Sequence, residues 1–228
     1  MINILKGNIF NTKCQTIVNT INCVGVMGAG IAYECKIRYP KMFERYQILC
    51  NENQIQIGKL WLYNSPEKWI LNFPTKYHWK YKSKIEYLQK GLQKFIDTYK
   101  AKEITSIAFP LLGASNGGIP EEVSLNIMLE YLEKVDLEIE IYHFDPYAQD
   151  ETFLQYKNKL QSMTDNDLSR LANLRIDLVK KLKNALLRDD ICTISSLLTV
   201  KGISDVTLEK SFHFIMKYNP NEGQLKFL

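Results

Sequence analysis

The sequence is short of the residues that build metal centres and disulfide frameworks. Its 228 positions hold three histidines, His78, His143 and His213, far apart along the chain, and five cysteines, Cys14, Cys23, Cys35, Cys50 and Cys192, an odd number with no C-x-x-C pair. That pattern excludes a disulfide-stapled scaffold and the usual zinc ligand sets, and it predicts a reducing compartment with neither metal nor cofactor. Long apolar runs are missing too. Nothing approaches the ~18 uninterrupted apolar residues of a membrane span, and MINILKGNIF does not join a basic start to an apolar stretch, so the chain is expected to be cytoplasmic, with no membrane partner. Charge of one sign is scarce: Lys+Arg 29 against Asp+Glu 25, a net +4, neither requires nor forbids a polyanionic partner. No low-complexity stretch or internal repeat stands out.

What is present is a core. At 46% apolar and 11% aromatic, the chain can bury the interior of one large domain and a small one. Up to about residue 147 it alternates β-branched runs with helical periods. INIL (2–5), QTIVN (15–19), KLWLY (59–63), KWILNF (68–73), ITSIAF (104–109) and EIEIYHF (138–144) predict strands; the segments 29–39, 40–52, 83–103 and 120–134 carry apolar residues at helical spacing. This alternation predicts an α/β fold of three layers, α/β/α, with a mixed, largely parallel sheet. Past Asp145-Pro146 strand signals stop and helical periods run on to residue 218, with Gly202 as the one sharp break. The boundary is placed near residue 150, giving a domain over 1–150 and a small all-α domain over 151–228.

Two loops draw attention. Gly25, Gly28 and Gly30 lie between a predicted strand and a predicted helix, and Gly113, Gly117 and Gly118 repeat that context after ITSIAF. Glycine there allows backbone N–H groups and a helix N-terminus to close on a phosphate. The spacing is neither the dinucleotide fingerprint nor a Walker A loop, and two tight turns remain the plain alternative. On parallel strands both loops reach the same carboxyl edge, where open α/β sheets bind ligands. Two such loops suit a ligand with two linked phosphates.

GNIFNTKCQTIVNTINCVGVMGAGIA, followed by FPLLGASNGG, resembles the macrodomain, a module that binds ADP-ribose through two loops flanking the pyrophosphate. The likeness covers roughly residues 1–147. The stretch NFPTKYHWKYKSKIEYLQKGL (72–92) looks like the subgroup that holds the ALC1-like terminal ADP-ribose glycohydrolases and the DNA ADP-ribosyl glycohydrolases of the DarG type, antitoxins to a DarT-like ADP-ribosyltransferase toxin. It places Lys76 straight after Pro74-Thr75, where ordinary macrodomains have no lysine.

The resemblance implies that Lys76 is catalytic, that Asn22 reaches the distal ribose and that Asn19 braces the loop. It implies a first phosphate loop of Gly25, Val26, Met27, Gly28 and Ala29 and a second of Gly113, Ala114, Ser115, Asn116, Gly117 and Gly118. Asn8 and Ile9 stand where the family reads adenine, with Asn8 in place of the usual acid, and the second loop lacks the carboxylate of the ALC1-like enzymes. Phe144 and Tyr147 are candidates for packing on adenine or for plain core. The run from Lys76 to Lys84 interleaves basic and aromatic side chains; His78, Trp79, Lys80 and Lys82 suit single-stranded DNA, or form a solvated loop with Trp79 pinned to the core.

The implied ligands are ADP-ribose and ADP-ribosylated DNA, and the implied activity is removal of ADP-ribose from thymidine in single-stranded DNA. Three other readings stay open: a binding module without hydrolysis, a hydrolase of protein ADP-ribosyl esters, and one of ADP-ribose 1″-phosphate. Residues 151–228 hold 12 basic and 9 acidic side chains. Their helices admit toxin contact, DNA contact through Lys180, Lys181, Lys183 and a turn in TVKGISDVTLEKSF similar to a helix-hairpin-helix, or a bundle with a wet basic face.

Overall fold

The computed structural model describes residues 1–217; the far end of the expected helical domain, and residue 218 of its last helical period, lie outside the described residues. The chain divides into two compact units, Met1–Asp145 and a second that begins at Pro146.

The first unit contains all six predicted strands: β1 (Ile2–Gly7), β2 (Thr16–Asn22), β3 (Trp61–Asn64), β4 (Trp69–Lys76), β5 (Ser106–Pro110) and β6 (Glu138–Phe144). They form one sheet in the order β1-β6-β5-β2-β4-β3. Every pairing is parallel except β3 with β4. Helices α1 (Gly30–Arg38), α2 (Pro40–Asn51), α3 (Ile85–Thr98) and α4 (Glu121–Leu132) cover it. Side chains alternate along the strands. Ile17, Ile21, Ile70 and Ala108 meet Cys35, Met42, Tyr46 and Leu49 of α1 and α2 on one face. Val18, Leu71, Phe73, Ile107 and Phe109 meet α3 and α4 on the other through Leu88, Leu92, Phe95, Met128 and Leu132. The three-layer α/β/α arrangement is the one that the alternation of strand and helix signals predicts.

Two strands run further than their β-branched cores announce. β2 continues through Asn22 and β4 through Pro74 to Lys76. Proline is tolerated inside β4 because β3 pairs only with Trp69 to Asn72, so beyond that point one side of β4 carries no ladder. The extra residues bring Asn22 and Lys76 opposite each other, after a register shift between Ile21 and Asn22.

The second unit is helical: α5 (Glu151–Ser162), α6 (Asp165–Leu171), α7 (Ile176–Ala185) and α8 (Asp205–Lys217), with a 3-10 turn over Ser195–Thr199. It corrects two sequence expectations. The helical periods past residue 150 are also broken at Asn173, which adopts φ 50° and separates α6 from α7; a short polar side chain makes the left-handed region tolerable. Gly202, at φ 88°, is therefore not the only break. The unit also contains an internal repeat. Leu168, Asn173, Leu174, Val179 and Leu186 correspond in order and spacing to Leu197, Gly202, Ile203, Leu208 and Ile215. The four apolar pairs are buried and the Asn173/Gly202 pair has positive φ. Each copy is a short helix, a hairpin and a longer helix. Sequence similarity between the copies is too slight to reveal it without the backbone.

Among the described residues no helix is long and apolar enough to cross a membrane, and no three of His, Cys, Asp and Glu gather as a metal would need.

Candidate active site

The five mutually parallel strands end at one edge of the sheet, and the predicted site residues of the first unit, Asn19 excepted, lie at or beyond those ends. Loop one, residues 23–29, leaves β2. Asn22 holds it: Oδ1 accepts from the amides of Val24 (3.0 Å) and Val26 (3.3 Å), Nδ2 donates to the Val26 carbonyl, and the Tyr46 hydroxyl donates to the Asn22 carbonyl at 2.7 Å and contacts Oδ1 at 3.1 Å. The side chain assigned to the ribose is thus engaged by the loop itself. Asn19 lies deeper, fully buried, donating to its cross-strand neighbour Asn72 at 2.9 Å and touching Met27 Sδ at 3.9 Å. Its Oδ1 has no partner.

Gly25 adopts φ 80°, a conformation that an L side chain resists, and the chain then rises into α1. Among the described residues no hydrogen bond takes up the amides of Met27, Gly28 or Ala29, and the first bond into α1 is from Tyr33 N to Ala29 O. The helix has neither a capping side chain nor an acid in its first turn. A run of free N–H groups at the positive end of a helix dipole is an anion site.

Loop two, residues 111–120, leaves β5 and includes a 3-10 turn over Ser115–Gly117. The amides of Gly117 and Gly118 are spent on Ala114 and Ser115 carbonyls; among the described residues those of Ser115 and Asn116 have no acceptor. Loop two approaches the start of α1: a Cβ on Gly30 would lie 3.4 Å from Asn116 Nδ2. Gly113 and Ala114 are buried beneath the turn.

Lys76 joins this pair of loops. Its Nζ donates to the Asn116 carbonyl, its Cε lies 4.0 Å from the point a Gly117 Cβ would occupy, and the next residue accepts from Cys23 N at 3.0 Å through its carbonyl. Burial holds the Lys76 amine below the usual lysine range. The thiols of the first unit do not compete as nucleophiles. Burial pushes up Cys14, Cys35 and Cys50, and Cys23 to about 11.

The segment after Lys76 is exposed. Trp79 is 49% accessible, so it is not pinned to the core, and Tyr77 and Tyr81 are more open still. His78 stacks on Trp79 at 5.7 Å, lies 5.4 Å from Tyr81, and takes the Lys80 amide on Nδ1, a turn-holding role. Lys80 Nζ stands 5.1 Å from the Trp79 ring, and the Lys82 stem lies 3.3 Å from a Cβ on Gly118, so the segment borders the second loop.

Asn8 caps the 3-10 turn Ile9–Asn11, its Oδ1 accepting from Phe10 N at 3.1 Å, and both Asn8 and Ile9 are buried. Phe144 ends β6 and is exposed rather than core. Tyr147 is also exposed and belongs to the second unit. Sequence reading missed Tyr46, which is indistinguishable from any buried helical aromatic until its hydroxyl is seen on Asn22, and Ser83, whose amide donates to Gly117 O at 2.9 Å.

A family model described as Macro domain matches residues 18–128. The macrodomain of Mycobacterium tuberculosis DarG superposes with a TM-score of 0.61 at 37% identity, over 62% of this chain and 97% of that one. The chain belongs to the macrodomain family. A "DNA ADP-ribosyl glycohydrolase" of Thermus aquaticus is 36% identical over 144 residues, 60% of this chain and 40% of that protein. Thermosipho africanus DarTG in complex with ADP-ribose matches with a TM-score of 0.58 at 32% identity, over 63% of this chain and 42% of that one. The match spans about two fifths of the length of such curated relatives.

Proposed function

We propose that the chain is a DNA ADP-ribosyl glycohydrolase that removes ADP-ribose from thymidine in single-stranded DNA and acts as antitoxin to a DarT-like ADP-ribosyltransferase. The observation that carries this reading is the placement of Lys76. It stands between the two glycine loops, with its amine lowered by burial, and opens directly onto an exposed basic and aromatic segment.

The free amides of Met27, Gly28 and Ala29, with the start of α1, hold one phosphate; those of Ser115 and Asn116 hold the other. The distal ribose then lies beside Lys76. The neutral amine attacks C1″, forming a C–N bond as the bond to the base breaks with its electron pair, and the base takes up a proton. Water then releases ADP-ribose and restores the amine. Asn22 acts here by fixing the first loop. Trp79 and the tyrosines beside it stack on flanking bases, while Lys80 and Lys82 meet phosphates. Asn8, Ile9 and Phe144 border the adenine end.

For the second unit we propose nucleic-acid contact at the hairpin around Gly202, where Lys181 Nζ lies against the glycine and Lys201 is exposed. Lys183 is not part of this surface, being paired with Asp165 at 2.9 Å. Lys181→Ala with Lys201→Ala weakens oligonucleotide binding if this is right; weakened toxin binding instead assigns the unit to the toxin.

The test is hydrolysis of a thymidine-linked ADP-ribosyl single-stranded oligonucleotide beside a protein ester and ADP-ribose 1″-phosphate. Release from DNA that is lost in Lys76→Ala supports the reading. Tight ADP-ribose binding without turnover makes the chain a reader module, and turnover of only the ester or phosphate reassigns its substrate.

A further inference from the structure

Ser83 lies just before α3 and is 8% exposed. Its Oγ is buried without a hydrogen-bond partner, although its amide is bonded to Gly117 O. The side chain is wedged between the glycines of the second loop: a Cβ on Gly117 would lie 2.7 Å from Ser83 Oγ, and one on Gly113 3.1 Å from Ser83 Cβ. The Lys76 stem approaches the same Gly117 position from 4.0 Å. A donor stranded in this way costs stability in the ligand-free protein and brings no bond in return.

The second loop has a matching need in another state. Its Asn116 carbonyl takes its donor from Lys76, and that amine must leave to reach a ribose carbon. Departure strands the carbonyl one peptide away from the glycine against which Ser83 rests. A hydroxyl proton rotates freely, so movement of the turn toward Ser83 lets it replace the ammonium donor.

We propose that Ser83 is a positioning residue for Lys76, its hydroxyl taking over the Asn116 carbonyl when the amine departs and so holding the Ser115–Gly117 turn while the amine works. This rests on the reading of Lys76 as the nucleophile. Without the exchange, the carbonyl retains the amine in its charged form.

The test is Ser83→Ala in the full chain, with Ser83→Cys as a weaker donor. The hydroxyl bonds nothing in the free protein, so the alanine variant keeps a Tm at or above that of the wild type and unchanged ADP-ribose affinity. Its kcat on the oligonucleotide falls about tenfold at unchanged KM, with the cysteine variant between. The Lys76 amine, followed by isotope-labelled lysine NMR in the ADP-ribose complex, titrates at higher pH in Ser83→Ala than in the wild type. Unchanged kcat and unchanged titration overturn the proposal, as does a loss of ADP-ribose affinity or Tm, which makes Ser83 merely structural. If the wild type does not hydrolyse the oligonucleotide, the glycohydrolase reading fails, and the titration of Lys76 still decides for or against Ser83.

Discussion

The two glycine loops leave adjacent strands of one sheet, yet they are stabilised in opposite ways. Loop one is braced from beneath by Asn22 and Tyr46, and it leads into a helix with no cap and no acid in its first turn. Loop two leads into α4, whose first turn carries Glu121 and Glu122; those acids offset the helix dipole, so its free donors are the turn amides of Ser115 and Asn116. What holds that turn includes the amine of Lys76 itself. The difference separates tasks. Loop one is ordered by its own strand and helix, whereas the turn of loop two depends on where the Lys76 amine sits.

Lys76→Ala breaks this comparison most severely. Turnover falls by on the order of 10³-fold, within the range for loss of a reacting side chain, while calorimetry finds ADP-ribose affinity within a few fold of the wild type. Its pH dependence sharpens the point. The amine is depressed by burial, so the single-turnover rate rises with pH while the amine is still protonated, then levels off at a midpoint below that of an ordinary lysine. A rate that instead falls as the amine loses its proton assigns Lys76 the role of a cation assisting the departing base.

The fold was legible because strand and helix periods alternate so plainly, and the loops because glycine clusters after strands have few uses. Lys76 was singled out only through resemblance, since a lysine in a basic run is ordinarily solvated. The rest was hidden for physical reasons. Hydrogen bonding decides between Asn19 and Asn22, and nothing in VNTIN states which asparagine points into the loop. Tyr46 reads as core. The break at Asn173 needed a left-handed residue other than glycine, and with it went the repeat in the second unit.

Gly117→Ala tests the crowded loop against the open one. Its Cβ would come within 2.7 Å of Ser83 Oγ, forcing the turn and the lysine out of register. A shift of that size near a reacting group costs about a hundredfold in kcat. Gly28→Ala meets only Val26 Cγ1, at 3.8 Å, and leaves the unfolding transition in place. Equal losses of stability in the two variants erase the distinction between a pinned turn and an open cradle.

Asn22→Ala attacks the cradle from below. It removes the acceptor shared by two loop amides and the donor to the Val26 carbonyl, so the loop must be ordered by the ligand. The expected effect is about 2 kcal/mol, or about thirtyfold in Kd for ADP-ribose, read by calorimetry. If affinity holds while turnover collapses, Asn22 acts on the ribose after leaving the loop.

The smallest expected effect lies outside both loops. Trp79 is half exposed with Lys80 over its ring, and in the proposed reading it offers a base a stacking face. Trp79→Ala therefore weakens binding of an unmodified single-stranded oligonucleotide about tenfold, one stacking contact's worth, and leaves ADP-ribose affinity as it was. Fluorescence anisotropy at two salt concentrations separates the parts: the ring contributes equally at both, whereas Lys80→Ala and Lys82→Ala lower the salt dependence itself. An oligonucleotide affinity indifferent to all three substitutions moves DNA contact away from this segment and leaves the second loop bordered by a solvated one.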